Sequence, residues 1–215
     1  PDMISRSVPG YQSIIQHCGD LAERFVRADS NCYDLGCSLG ATSLAIAKTV
    51  TASNTQIIAI DNAPAMLSRC HAAIEHFKPA VPITLIEGDI CDAAIENASM
   101  VVLNFTLQFV DPDKRSPLLA NIYCGLNPGG CLVISEKIRI QPAPLDALMV
   151  DLHHQFKRAQ GYSDLEISQK REAIEDVLIP ETREQHIDRL HSVGFESATI
   201  WFQCYNFCSL VAIKA

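Results

Sequence analysis

The sequence has no run of basic residues, no CxxC pair and no apolar stretch near the roughly 20 residues that a membrane-spanning helix requires. Its longest apolar runs, such as Ser209 to Ile213, have the length of a β-strand. Positive charge is scarce: 17 Lys and Arg stand against 25 Asp and Glu, for a formal net charge of -8. An acidic chain without clustered cations repels a phosphate backbone, so no direct nucleic-acid binding and no membrane partner are expected. The nine cysteines are odd in number, scattered and mostly set in apolar segments. They offer neither a disulfide framework nor zinc-ligand spacing, so reduced thiols, no metal site and a cytoplasmic location are expected. A length of 215 residues with 48% hydrophobic content suits one domain, 1–215, with a full core. The first residue is Pro1, not methionine, which leaves room for residues ahead of it.

What is present is an alternation of helical and strand patterns. Ser13 to Phe25 carries a helical stripe of apolar residues. Cys32 to Leu35, Gln56 to Ile60, Ile83 to Ile86, Val101 to Asn104 and Cys131 to Ser135 read as short buried strands. Between them, Ala41 to Val50, Pro64 to Phe77 and Asp111 to Leu126 read as helices, the last stopped by Asn127-Pro128-Gly129-Gly130. Strands apolar on both faces and separated by helices predict a doubly wound, mostly parallel α/β sheet. From about 138 to 180 the pattern is helical only, at Asp146 to Arg158 and Glu166 to Val177, which predicts a helical insertion. A helix from Glu181 to Val193 follows, then two strands, Ala198 to Gln203 and Phe207 to Lys214. The three residues between those strands permit a hairpin and exclude a parallel crossover. A seven-stranded sheet closing on an antiparallel hairpin is, by analogy of fold, the Rossmann-like methyltransferase architecture.

Polar residues at the carboxyl ends of the strands mark the expected site. The first strand runs into Asp34-Leu35-Gly36-Cys37-Ser38-Leu39-Gly40, where glycine lets the backbone turn tightly against a ligand. This is not a full dinucleotide fingerprint, because Ser38 replaces the middle glycine. Asp61 ends the second strand, placed to accept from both hydroxyls of a ribose or to cap the helix that starts at Pro64. Asp89 follows the third strand and can accept from an adenine amino group, with the Ile90 N–H donating to the ring; it can equally be a turn aspartate. Asn104 ends the fourth strand facing the same crevice, as a ligand contact or a strand-end cap. Three such residues beside a glycine turn predict nucleoside binding. The impoverished glycine loop and the Asn-Pro-Gly-Gly segment favour S-adenosylmethionine over NAD.

Longer segments carry a more specific resemblance. Ser7-Val8-Pro9-Gly10-Tyr11, Tyr33 to Gly40, Ile60-Asp61-Asn62, Glu87-Gly88-Asp89-Ile90 and Val102 to Phe109 resemble one family, as do Phe156-Lys157-Arg158, Gly161-Tyr162-Ser163, Leu165 to Arg171 and Trp201-Phe202-Gln203-Cys204. This family is carboxy-S-adenosyl-L-methionine synthase, of bacterial tRNA wobble-uridine modification. The resemblance runs almost end to end and includes the insertion. It implies conversion of S-adenosyl-L-methionine and prephenate to carboxy-S-adenosyl-L-methionine and phenylpyruvate. In that scheme prephenate loses carbon dioxide and hydroxide as it aromatises, and the S-methyl group, deprotonated to an ylide, captures the carbon dioxide. Residue by residue, it implies cofactor contacts at Tyr11, Gly36, Cys37, Ser38, Asp61, Asn62, Asp89, Ile90 and Asn104. It also implies that Arg171 holds the new carboxylate, as catalytic and cofactor-binding residue, from the neighbouring subunit of a homodimer. A guanidinium fork grips a carboxylate by two parallel bonds.

Two further groups of residues read as structural. Adjacent His153 and His154, with Lys157 and Arg158 one turn on, are expected on solvated surface or at a subunit contact. Trp201, Phe202, Tyr205 and Phe207 are expected to pack the terminal hairpin, since no cations interleave them.

Overall fold

The computed structural model describes residues 2–168 and 177–215. Seven strands form one sheet: β1 (Asn31–Leu35), β2 (Gln56–Asp61), β3 (Ile83–Glu87), β4 (Ala98–Asn104), β5 (Leu126–Lys137), β6 (Ser197–Cys204) and β7 (Phe207–Ile213). Their order is β3-β2-β1-β4-β5-β7-β6. The first five strands pair in parallel, and β7 runs antiparallel to both β5 and β6. Among the described residues the helices include α1 (Asp2–Ser7), α2 (Tyr11–Phe25), α3 (Ala41–Thr49), α4 (Pro64–Phe77), α5 (Pro112–Gly125), α6 (Ala143–Ala159) and α7 (Arg183–Ser192). The doubly wound sheet with a terminal hairpin is therefore as the periodicity predicts. Among the described residues no helix is long and apolar enough to cross a membrane.

Alternation along the central strands builds two core layers. Val101, Leu103, Leu132 and Ile134 face Leu118, Leu119 and Ile122 of α5 and Leu190 of α7. Met100, Val102, Cys131 and Val133 face Ile14 and Cys18 of α2 and Ile46 of α3. All nine cysteines are free thiols.

Several boundaries differ from expectation, two of them with a clear physical cause. β4 starts three residues early, at Ala98, because Ala98, Ser99 and Met100 are buried although two of them are small. Asn127-Pro128-Gly129-Gly130 does not precede β5 but lies inside it as an irregularity. The pairing with β4 passes from Ala98↔Leu126 to Met100↔Cys131. The freed backbone groups bond Lys214 instead: Gly129 N–H donates to its carbonyl at 2.8 Å, and its N–H donates to Gly130 at 3.0 Å.

On the α5 side a buried ion cluster fixes the chain after β4. Arg115 is fully buried and donates to the carbonyls of Val110 (2.9 Å), Gln108 (3.3 Å) and Ile179 (3.0 Å). Its Nη1 lies 2.7 Å from Glu181 Oε2, in an ion pair outside hydrogen-bond geometry. Glu181 also accepts from both terminal nitrogens of Arg189. Burial would raise the Glu181 carboxyl, but bonds and charge from Arg189 and Arg115 outweigh it and hold the pKa at about 2.

Candidate functional site

A long crevice of about 1530 Å³ opens at the carboxyl edge of the sheet, where the strand order reverses between β1 and β4. Tyr11, Gly36, Cys37, Ser38, Asp61, Asn62, Asp89, Ile90 and Asn104 all line it. The structure thus gathers nine of the ten expected residues around one crevice. The tenth, Arg171, lies outside the described residues. A second hollow, bordered by Arg139, Gln141 and Asp146 at the start of α6, contains none of them.

The β1 turn is shaped by close approach. Gly36 has φ +79°, and a Cβ there would sit 2.4 Å from the Thr106 side chain, so the turns after β1 and β4 touch without room for a methyl group. Gly36 N–H and Cys37 N–H both donate to the Ile60 carbonyl, at 2.8 and 3.0 Å. Asp61 is half-buried; its Oδ2 accepts from Ser38 N–H (2.7 Å) and its Oδ1 from Ala63 N–H (2.9 Å). It therefore ties the β1 turn to the entry of α4, whose cap position is Ala63. Each of its oxygens keeps a further lone pair for a ligand hydroxyl. Asp89 accepts from Cys91 N–H at 2.9 Å, so the turn role is real, and its carboxylate stays exposed.

Cys37 enters through its backbone. Its thiol is buried with Ala59 and Leu67, and a hydrogen bond with Cys70 together with burial raises it well above an ordinary thiol. Beneath the turn, Asp34 is fully enclosed and accepts from Ser43 Oγ at 2.5 Å, which fixes the first turn of α3. Burial pushes its carboxyl up to about 6, against the Ser43 bonds and with the Asp61 charge adding to the rise. Sequence reasoning passed over Asp34; an acid within an otherwise apolar strand was the signal.

The opposite wall is aromatic. Gly10, at φ +76°, leads into α2 and leaves space for Phe202, whose ring a Cβ would meet at 2.3 Å. Tyr11 follows; burial, then the charge of Asp34, raises its phenol to about 12, so it remains protonated at neutral pH. Its ring is 6.2 Å from that of Phe105. Phe105 adopts φ +60°, a strained conformation for a bulky residue, and its N–H is held by the Ser135 carbonyl at 2.7 Å. Asn104 donates to Thr42 Oγ1 at 3.2 Å, while its own Oδ1 is buried with no hydrogen-bond partner. An acceptor in that state invites an N–H donor from a ligand.

The surface expectation for His153 is corrected. Its side chain is buried, its Nε2 is 2.8 Å from the Ser7 carbonyl, and Lys157 is buried beside it. α1 covers this part of α6, a tertiary contact that helix periodicity does not report. Phe207 is core, and Trp201 and Phe202 pack against the same layer, as expected of the hairpin.

Comparison with known proteins bears on the fold and the family. A model described as a methyltransferase domain matches residues 33–130. Among solved structures, a putative S-adenosyl-L-methionine-dependent methyltransferase from Methanococcus maripaludis superposes with a TM-score of 0.62 at 21% identity, covering 100% of this chain and 90% of that one. Human N-acetylserotonin methyltransferase, solved in complex with S-adenosylmethionine, gives 0.63 at 18% identity, covering 96% and 52%. At such identities these show the shared fold. Carboxy-S-adenosyl-L-methionine synthases of Escherichia coli K12 and of Escherichia coli O1:K1 are each 57% identical over 215 residues, all of this chain and 87% of theirs. With that identity along its whole length, the chain belongs to the carboxy-S-adenosyl-L-methionine synthase family.

Proposed function

We propose that this protein converts S-adenosyl-L-methionine and prephenate to carboxy-S-adenosyl-L-methionine and phenylpyruvate, supplying the carboxymethyl donor for tRNA wobble-uridine modification in the cytoplasm. The observation that carries the reading is the 57% identity to named synthases over the full chain. The crevice suits the nucleoside. Asp61 offers an acceptor for ribose hydroxyls, Asp89 and the Ile90 N–H flank the position for adenine, and the glycine turn admits close backbone approach. The unsatisfied Asn104 Oδ1 suits the amino end of the methionine moiety. Tyr11, protonated and half-buried, covers that end.

The reaction balances without a protein base. The ring C–carboxylate bond breaks to give carbon dioxide, and the ring C–OH bond breaks to give hydroxide. Hydroxide takes a proton from the S-methyl group and leaves as water, and the methyl carbon bonds to carbon dioxide. Aromatisation drives the sequence, so the protein's tasks are to hold both reactants together, exclude water and stabilise the added carboxylate. Arg171, matched by motif and supplied across a homodimer interface, is assigned the last task.

Mixing protein, S-adenosylmethionine and prephenate should release phenylpyruvate and yield a nucleoside heavier by one carboxyl group. S-adenosylhomocysteine as the only nucleoside product would instead identify an ordinary methyltransferase. Arg171→Met should weaken binding of the carboxylated nucleoside by about 1.5–3 kcal/mol, the worth of a charge-assisted hydrogen bond. Equal affinity of the variant and the parent for that product would remove Arg171 from the site.

A further inference from the structure

The corner between α1 and α2 forms one rim of the crevice, and it is held from outside by the helical insertion. Ile4 of α1 and Tyr11, Gln12 and Ile15 of α2 all line the crevice. Val8, Pro9 and Gly10 join the two helices, and this corner is internally stiff. Val8 N–H donates to the Ile4 carbonyl at 2.8 Å, and Tyr11 N–H to the Val8 carbonyl at 3.2 Å. Gln12 Nε2 reaches back to Ser5 Oγ at 2.8 Å. Pro9 fixes its own φ, and Gly10 supplies the positive φ that turns the chain into α2. So compact a corner carries Tyr11 to wherever its anchors hold it.

The anchors converge on Ser7, the last residue of α1. Its hydroxyl is hydrogen-bonded to the Tyr162 hydroxyl at 2.9 Å. Its carbonyl can only accept, so His153 Nε2 donates to it, at 2.8 Å. Ser7, His153 and Tyr162 are 7%, 6% and 9% exposed, which leaves little water to replace either bond. Alongside, Arg6 Nε donates to the Gln160 carbonyl at 2.9 Å, and its guanidinium stands 4.8 Å from the centre of the Tyr162 ring. The His153 ring packs edge-on against Phe207 of β7, 4.8 Å away, so this anchor is itself fixed to the sheet. His153, Gln160 and Tyr162 belong to α6 and the turn after it, whereas Ser7 and Arg6 stand about 150 residues earlier in the chain. Among the described residues none of α1 belongs to either core layer. Docking α1 on the insertion therefore does little for the sheet and a good deal for the rim.

Resting on the binding mode given above, in which Tyr11 covers the methionine end of the nucleoside, we propose that Tyr162 and His153 are positioning residues: through Ser7 they hold the α1–α2 corner so that Tyr11 meets that tail. The insertion thus serves the nucleoside site as well as the chemistry beyond it. Losing one anchor bond lowers the fraction of molecules with the corner held, and apparent affinity falls with that fraction. Ribose and adenine are assigned to Asp61, Asp89 and the Ile90 N–H, on loops that the corner does not carry. The loss is therefore confined to ligands that possess the tail.

The test compares two thioethers by calorimetry: S-adenosylhomocysteine, and 5′-deoxy-5′-methylthioadenosine, in which a methyl group replaces the amino-acid tail. Ser7→Ala and Tyr162→Phe delete the same hydrogen bond from opposite sides. Each should weaken S-adenosylhomocysteine about 3- to 10-fold and leave methylthioadenosine unchanged, and the double variant should be no weaker than either single one. Tyr11→Ala should show the same selectivity, and adding Tyr162→Phe to it should cost nothing more. Equal losses for both ligands, or a Tyr162→Phe effect undiminished in the Tyr11→Ala background, would make the anchor a matter of general stability and overturn the proposal. Unchanged S-adenosylhomocysteine affinity in both single variants overturns it as well. Parent-like binding of both ligands by Tyr11→Ala overturns the binding mode and the proposal together. The selective loss, in a protein that forms no carboxylated product, supports the positioning role and overturns the reaction alone.

Discussion

Replacing Arg115 by methionine should destabilise the protein by about 3 kcal/mol, and the structure sets that figure. The guanidinium is fully buried, with three backbone carbonyls within 2.9–3.3 Å and the Glu181 carboxylate 2.7 Å away. Methionine fills similar space but supplies no donor. Breaking a buried pair by removing one partner costs about 3–5 kcal/mol, since the remaining charge is stranded. Here Glu181 keeps Arg189, which places the loss at the lower end. For a chain of this size that corresponds to a fall in Tm of roughly 6–12 °C. Urea unfolding followed by fluorescence, with thermal melts alongside, measures it. Arg115→Lys should fall between, because one ammonium cannot span four acceptors arranged around a fork. A loss below about 1 kcal/mol for the methionine variant would show that the cluster offsets its own desolvation and nothing more, as buried pairs sometimes do. The functional consequence is local. Gln108 and Val110, which Arg115 holds, belong to the chain between Thr106 and Asp111 that walls the crevice, so ligand affinity should drop as well.

Asp61→Asn should weaken S-adenosylmethionine by about 1.5–3 kcal/mol, read by calorimetry, because an amide can accept from only one of the two N–H groups that the carboxylate now holds; an unchanged Kd refutes the assignment. The stability difference between the parent and Glu181→Gln should be about 1–3 kcal/mol at neutral pH, discounted for solvent screening. Because the folded Glu181 pKa is depressed to about 2 from 4.5, that difference is fully present above pH 4.5 and is lost as pH falls towards 2. A difference that stays constant down to pH 2 would contradict the ion-pair account.

How much of this was written in the sequence follows from the range of the interactions. The ends of β2 and β4 were legible because Asp61 and Asn104 interrupt apolar runs; β3, an edge strand, is half-exposed where a buried strand was expected, and Asp89 was marked by the Gly88 turn. The hairpin was legible from the short link before Phe207. Where β4 begins was not, since Ala98 and Ser99 are buried by neighbours far along the chain and not by their own hydrophobicity. The Asn127–Gly130 segment misled for a related reason: its turn chemistry is real, but Lys214 supplies the missing backbone partners and keeps the strand intact. His153 and Lys157 looked solvated because each is polar on an exposed-looking helix; α1 and Ser7 close over them. Phe105 carried no signal, because a left-handed backbone at a phenylalanine is imposed by the ladder to Ser135. Arg171 was named by motif alone.

The reversal of strand order between β1 and β4 divides labour across the midline of the sheet. In the binding mode proposed above, the loops after β1, β2 and β3 hold the nucleoside, Asn104 at the end of β4 meets its methionine end, and the residues beyond face whatever is brought to react with it. Novel chemistry can thus be installed from one flank while the other is left alone. A lineage could exchange one reaction for another by rebuilding half a rim, without relearning how to recognise the nucleoside.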